Sequence, residues 1–304
     1  MLEVRNIIKR FDAKLALDNV SIKFESGKIH GILGPNGAGK TTLIRIINQI
    51  FPPNEGGVYW NGKLINRKFL QHVGYLPEER GMYSNMEVGA YLIFLGKLRG
   101  LEKEELHTNL NYWLDKFGIQ DWKHKRIEEL SKGMAQKIQF IAAVFHNPDL
   151  IILDEPFSGF DPVNVKLIRG VLRDFKEDGK TILLSTHNMN SVEELCDNVV
   201  LIHQSKKILE GTVEKVKTNT GERVYAVQFT GNMIAFVTAL WAGFELIDKK
   251  IIGDNKYIAR VKLLGDNDFK SLLNTLIPSI DIEGAWEELP TMEDVFIRET
   301  TVTH

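Results

Sequence analysis

The stretch Gly34-Pro-Asn-Gly-Ala-Gly-Lys-Thr41 constrains the fold of this chain more than any other part of its sequence. It follows a mostly apolar run, Ile29-His-Gly-Ile-Leu33, and precedes Leu43, Ile44 and Ile47 at helical spacing, so the loop joins a strand to a helix. Successive backbone N–H groups of such a loop converge on an anion, and the helix adds its positive end. Close approach to phosphate is expected to leave no room for a Cβ at Gly37 and Gly39. The candidate phosphate-binding set is Gly34, Pro35, Asn36, Gly37, Ala38, Gly39, Lys40, Thr41 and Thr42. Lys40 brings charge to the terminal phosphates, and the Thr41 hydroxyl suits a Mg²⁺ ion.

A second pattern supports a triphosphate. Leu150-Ile-Ile-Leu-Asp-Glu-Pro156 is an apolar run ending in two carboxylates, which places Asp154 at the carboxyl end of a buried strand. One carboxylate can hold the metal through water while Glu155 polarises an attacking water. ATP and Mg²⁺ are the expected ligands, and hydrolysis is the expected reaction. Leu150–Leu153 and Thr181-Ile-Leu-Leu184 lack polar alternation, as strands buried on both faces of a parallel sheet do. Asp161-Pro162 opens a helix between them. Asn198 to His203 and Lys207 to Glu210 read as strands closing this sheet, whereas Leu2, Val4, Val20, Ile22 and Phe24 alternate as strands with one wet face.

Residues 84–147 read as a helical lobe. Ser84 and Glu87 form a capping-box signature. Tyr91, Leu92, Phe94, Leu95 and Leu98 form an apolar stripe expected to pack, and a second helix over about 103–117 carries Leu106, Leu110, Trp113 and Leu114. The first domain is expected over 1–212 and a polar linker over 213–223. A small α+β domain is expected over 224–304, with strands at 224–230, 244–252, 257–264 and 279–286 and helices at 232–241 and 266–276. That β-α-β-β-α-β order is ferredoxin-like. Thr291-Met-Glu-Asp294 starts a last helix.

Composition narrows the partners. The 304 residues carry a net charge of −2, which gives no reason to expect nucleic acid. The basic run Lys123-His-Lys-Arg126 reads as a solvated loop. The single cysteine, Cys196, rules out an intrachain disulfide framework, reads as a small buried hydrophobe and suits a reducing compartment. No signal peptide is visible after Met1. Val224 to Phe244 holds no charged residue, yet Gln228, Thr230, Gly231 and Asn232 break it into a strand, a turn and a buried helix, so it is not expected to span a bilayer. Any membrane role then requires a partner.

Together these motifs resemble the ATPase subunit of ABC transporters. Between the glycine loop and the acidic pair that family carries a signature sequence, matched here by Leu130-Ser-Lys-Gly-Met134. A D-loop follows the acidic pair (Ser158-Gly-Phe-Asp161), and a switch histidine ends the next strand (His187 in Ser185-Thr-His-Asn). Phe11 occupies the position of an adenine-stacking aromatic. The resemblance covers residues 1 to about 212 and implies a P-loop NTPase core with a mixed sheet, a helical lobe and an antiparallel β lobe. It implies catalytic roles for Glu155, His187 and Lys40, nucleotide contacts from Phe11, Ser131 and Gly133, and metal ligation by Thr41, Asp154 and Glu78.

Three departures stand out. Lys132 and Met134 replace residues of the usual Leu-Ser-Gly-Gly-Gln signature, Glu78 replaces the Q-loop glutamine, and Phe11 replaces a frequent tyrosine. A carboxylate at position 78 can still ligate Mg²⁺. Gly74-Tyr-Leu-Pro-Glu-Glu-Arg-Gly-Met-Tyr83 and an ending like Met292-Glu-Asp-Val-Phe-Ile297 are similar to ATPase subunits of bacterial sodium- and drug-exporting systems whose membrane part is a separate chain. The implied partners are a second nucleotide-binding subunit, placed head to tail, and a transmembrane subunit. That partner would hold this chain on the cytoplasmic face of the membrane. Two other readings stay open: a soluble ABC ATPase acting on ribosomes or DNA, and an ATPase regulated by a ligand of the C-terminal domain. Ribosome-acting members generally carry two cassettes and DNA-acting ones long coiled-coil or zinc insertions, none of which this chain has.

Overall fold

The computed structural model describes residues 1–12, 14–78, 81–218, 223–240 and 243–301. The chain divides into two compact units, Met1–Val213 and Glu214–His304. In the first, the chain runs β1 (Leu2–Phe11), β2 (Lys14–Phe24), β3 (Ile29–Leu33), α1 (Lys40–Ile47), β4 (Glu55–Trp60), β5 (Lys63–Leu64) and β6 (Val73–Leu76). Then come α2 (Val88–Leu98), α3 (Lys103–Lys116), α4 (Lys132–Val144), β7 (Leu150–Asp154) and α5 (Pro162–Glu177). The unit closes with β8 (Thr181–Ser185), α6 (Met189–Leu195), β9 (Asn198–His203) and β10 (Lys206–Thr212).

The sheet that positions the site has the order β10-β9-β3-β8-β7-β6, with β9, β3, β8, β7 and β6 parallel and β10 antiparallel at the edge. Every residue of β3, β7 and β8 is buried, in keeping with their mostly apolar runs. A second sheet, β2-β1-β4-β5, is antiparallel. Leu43, Ile44 and Ile47 of α1 share one core with Leu17, Val20 and Ile22 of β2 and with Ile32, Ile152 and Leu183 of the parallel strands. Each such fully buried aliphatic side chain contributes about 1.5–3 kcal/mol relative to exposure. This core fixes the direction in which α1, and therefore the glycine loop before it, leaves β3.

The helical lobe departs from expectation at two places. No capping box forms at Ser84: α2 starts at Val88 with Glu87 as its cap residue, because Tyr83–Met86 closes a turn (Met86 N to Tyr83 O, 3.1 Å) and the backbone carbonyl of Ser84 accepts from Glu128 N instead. The apolar stripe of α2 is also only half a packing surface. Tyr91 and Leu92 are buried, but Phe94 and Leu98 are exposed, Leu98 at 64%. Leu106, Leu110, Trp113 and Leu114 of α3 are buried as their spacing implies. Lys123 to Arg126 is a surface turn, whose Lys123 and Lys125 carbonyls accept from Gly89 and Val88. Asp161 caps α5, accepting from Asn164 N at 3.0 Å.

The expected polar linker over 213–223 begins as a helix, α7 (Val213–Thr218), and its residues 219–222 lie outside the described residues. Then follow β11 (Val224–Thr230), α8 (Met233–Ala239), β12 (Phe244–Gly253), β13 (Lys256–Leu263), α9 (Phe269–Leu276), β14 (Asp281–Glu287) and α10 (Met292–Thr301). The sheet order β12-β13-β11-β14, all antiparallel, completes the ferredoxin-like arrangement. Val227 and Phe229 of β11 pack with Phe236 of α8 and Leu272 and Leu276 of α9. The helix α8 is not buried throughout: Phe236 faces the core while Ile234, 76% exposed, and Val237 face outward. An amphipathic helix covering one sheet face needs only one apolar stripe. No helix among the described residues is long and apolar enough to cross a membrane. Cys196 is buried, and burial pushes its thiol up to about 12.

Candidate functional site

Three neighbouring parallel strands end at one place. Ile32 of β3 and Asp154 of β7 both stand in register with Ser185 of β8, the strand between them. The glycine loop leaves β3, the acidic pair leaves β7, and Thr186-His187 leaves β8. Crevices at the carboxyl ends of such strands are where open parallel sheets bind ligands. A cleft of about 430 Å³ opens there, floored by Asn36, Gly37, Gly39, Lys40, Thr41 and Thr42. Asp154, Glu155, Ser185 and His187 form one wall, Phe11, Lys14 and Ala16 another, and Glu78 closes the side.

The glycines act for reasons partly different from those expected. At Gly39 (φ 116°) an added Cβ would lie 2.5 Å from the Ala16 carbonyl oxygen, and at Gly34 (φ 149°) 2.1 Å from that of Ile202. The chain itself, not a ligand, excludes a side chain at these positions. At Gly37 a Cβ would meet no atom within 4 Å among the described residues, and the requirement there is the φ of 79°. Ala38 is buried and its N–H bonds to the Pro35 carbonyl at 3.2 Å. The Lys40 ammonium donates to the carbonyls of Gly34 (2.7 Å) and Pro35 (3.1 Å), which hold it over the loop. Burial lowers its pKa, and the carboxylates of Glu155, Asp154 and Glu78 oppose that shift.

The acidic pair is divided by environment. Asp154 is almost wholly buried, and burial raises its carboxyl above the usual range, with Glu78 and Glu155 pushing the same way. Among the described residues neither its Oδ2 nor the buried Oγ of Ser185 has a partner at hydrogen-bond distance, and the nearby Ser185 hydroxyl works against the rise in the Asp154 pKa. Glu155, at a φ of 49°, turns back: its carboxylate accepts from the His187 backbone N–H (3.0 Å), sits 2.7 Å from His187 Nδ1 and accepts from the Thr186 hydroxyl (3.3 Å). Orphaned buried oxygens in a cleft that Thr41 also lines fit a hydrated divalent cation, whose water can supply the missing donors. Among the described residues no cluster of three His, Cys, Asp or Glu could cage a metal. A site with one or two protein ligands, water and phosphate oxygens is how Mg²⁺ is usually held.

Phe11 lies on the cleft wall, 44% exposed, with its ring held edge-on by Phe51 (5.3 Å, 89°) and the Lys9 ammonium 5.0 Å from both ring centres. Phe51, Lys9, Lys14 and Ala16 were not marked by any motif; only the folding of β1 and β2 against the 51–54 segment brings them here. Ser131 and Gly133 do not line this cleft. Ser131 caps α4, accepting from Met134 N at 3.3 Å, and is exposed. Glu79 and Arg80, next to Glu78, lie outside the described residues.

A glycine loop running from a parallel strand into a helix, with a buried aspartate ending a strand two places along the same sheet, defines a P-loop nucleotide site. The family model described as ABC transporter matches residues 17–158. The chain is 43% identical over 223 residues to the uncharacterized ABC transporter ATP-binding protein YhaQ of Bacillus subtilis, covering 73% of this chain and 75% of that one. It is 32% identical over 244 residues to the linearmycin resistance ATP-binding protein LnrL of the same organism, covering 79% and 78%. A solved ATP-binding subunit of an ABC transporter superposes with a TM-score of 0.70 at 28% identity, over 73% of this chain and 93% of that one. The chain belongs to the ABC transporter ATP-binding proteins, which are ATPases.

Proposed function

We propose that two copies of this chain close head to tail over two MgATP molecules, and that the hydrolysis cycle powers export through a separate transmembrane subunit. The carrying observation is the split geometry. Lys40, Asp154, Glu155 and His187 share one cleft, whereas the signature residues Ser131 and Gly133 lie outside it, with Ser131 on an exposed turn where another copy can use it.

In this reading Phe11 stacks on the adenine, and the loop N–H groups with Lys40 hold the β- and γ-phosphates. Thr41, Glu78 and Asp154 hold Mg²⁺, directly or through water. Bound Mg²⁺ neutralises charge on the phosphate oxygens. The Glu155 carboxylate now rests on Thr186 and His187. Once His187 turns to the γ-phosphate, Glu155 is released to polarise the attacking water, and Ser131 of the other copy completes the site. Loss of the γ-phosphate removes what bridges the copies, and the dimer opens.

Transmission to a membrane subunit is supported by the exposed aromatic and apolar rim of the helical lobe. Tyr83, 60% exposed, meets Phe94 edge-on at 5.9 Å, and Leu98 lies exposed on the same helix as Phe94. Such a rim suits a partner surface. Direction rests on the sodium- and drug-exporter-like motifs and on the resistance relative. The place of action is the cytoplasmic face of the membrane, reached through the partner. The test is Glu155→Gln: it retains ATP binding and forms a nucleotide-dependent dimer, but loses turnover. Steady-state hydrolysis near the wild-type rate in that variant sinks the role given to Glu155, and a single-copy species at saturating ATP sinks the dimer.

A further inference from the structure

Gln136 sits one turn into α4, the helix that Ser131 caps, and its side chain is buried. It does not line the nucleotide cleft. Its amide crosses instead to the segment after the acidic pair, where Nε2 donates to the Ser158 carbonyl at 2.7 Å. That bond fixes the orientation of the amide, since the reverse assignment would set two carbonyl oxygens against each other. The other amide atom, Oε1, is buried with no hydrogen-bond partner among the described residues. Gly159 makes the approach possible: at its φ of 80° a Cβ would stand 2.6 Å from Nε2 and 3.3 Å from Oε1.

Ser158 is tied to the catalytic strand in turn. Its N–H bonds to the Glu155 carbonyl at 3.3 Å, and the Glu155 N–H bonds to the Ser185 carbonyl at 2.9 Å. A continuous path therefore runs from the signature turn through Gln136 and Ser158 to Glu155. Resting on the head-to-tail reading above, we infer that Gln136 is a positioning residue linking the two ATP sites of the dimer. The signature turn of each copy serves the other copy's ATP, while Glu155 serves its own, so this amide joins the sites in series. Closure on one ATP displaces α4, and the amide carries that displacement to Ser158 and the backbone of Glu155. The open Oε1 lobe lets the amide hold the 158–160 backbone in a second position, by accepting an N–H there, without breaking out of its pocket.

The test uses two variants acting from opposite sides of the contact. Gln136→Met keeps the unbranched volume and removes the amide; Gly159→Ala keeps the amide and crowds it. In the full chain, each is expected to leave the affinity for a fluorescent ATP analogue unchanged. Maximal hydrolysis drops about five- to tenfold, the scale of one lost hydrogen bond in the closed state. The Hill coefficient of hydrolysis, above one in the wild type, falls to one in both variants. Wild-type cooperativity and kcat retained in both overturn the inference, as does a wild-type coefficient of one. Parallel loss of nucleotide affinity and of melting temperature overturns it in favour of a purely structural glutamine. Failure of Glu155→Gln to dimerise, with Gln136 intact, sinks the dimer reading itself. Dimerisation with cooperativity surviving in the Gln136→Met background sinks this inference alone.

Discussion

The two units of this chain differ in where polar atoms are left unmatched among the described residues. Among the described residues Gln136 Oε1, Asp154 Oδ2, Arg169 Nε, Ser185 Oγ and His203 Nδ1 are buried without a partner at hydrogen-bond distance, and these five belong to Met1–Val213. In Glu214–His304 the prominent charges are matched. The Glu283 carboxylate accepts from Lys256 (2.6 Å), Thr230 (2.6 Å) and Gln228 (2.8 Å), and Arg260 reaches both Glu288 (2.9 Å) and Asp294 (3.7 Å). Thr291 and Asp294 cap α10 reciprocally. Unmatched buried groups are costly and persist where something else, a ligand or a moving segment, supplies the partner. The contrast places the buried groups that await a partner in the first unit.

The sharpest way to break that contrast is Asp154→Asn. Hydrolysis is expected to fall at least about 100-fold, because the proposed Mg²⁺ ligand is lost. At pH 8 the nucleotide-free variant is expected to be more stable than the wild type by about 1 kcal/mol, a common trade at strained active sites. The sign follows from burial. A carboxyl raised in the folded state is stabilised when protonated, so the wild type loses stability as pH rises through the raised value and regains it in acid. Calorimetry of wild type and variant at pH 8 and near pH 4, close to the free carboxyl value of 3.8, reads this directly, and an Asn variant less stable at pH 8 contradicts it.

His146 tests whether the first unit also holds a buried group whose neutral form is required. Burial, with Arg99 adding to it, lowers its pKa from 6.5 to about 4, and a ring nitrogen lies 3.1 Å from the Val73 carbonyl. The unfolded chain binds the proton more readily, so stability is full above 6.5 and is lost as pH falls toward 4. The loss reaches about 3 kcal/mol. Urea unfolding at pH 7 and 4.5 should show this acid loss, and His146→Gln should remove most of it. The smallest effect is expected in the second unit. Glu283→Gln should leave ATP hydrolysis unchanged and shift melting only slightly. The Lys256, Thr230 and Gln228 donors hold Glu283 down at about 2, so its contribution is present above 4.5 and fades as pH falls toward 2. A clear drop in hydrolysis in Glu283→Gln would tie this network to the ATP cycle.

Much of this architecture was legible from local pattern. Strand, glycine loop and helix at 29–47, the acidic pair at 154–155 and the β-α-β-β-α-β order after residue 224 depend on periodicity and turn chemistry within a few residues. Side-chain alternation and apolar run length carry that information directly. The same local reading misjudged Ser84, whose capping signature was outcompeted by a backbone bond from Glu128, and Phe94 and Leu98, whose helical spacing does not say which face the lobe buries.

By itself, then, the sequence determined which segments are strands and helices and marked the side chains suited to phosphate and water chemistry. Only the tertiary structure decided that β3, β8 and β7 lie side by side, with Ile32, Ser185 and Asp154 level at their ends. It also decided that the Ala16 carbonyl forbids a side chain at Gly39, that Phe51 braces Phe11 and that Gln136 reaches Ser158. Each of these contacts joins residues distant in the chain. Their partners are chosen by how sheets and helices pack, and no local propensity encodes that choice.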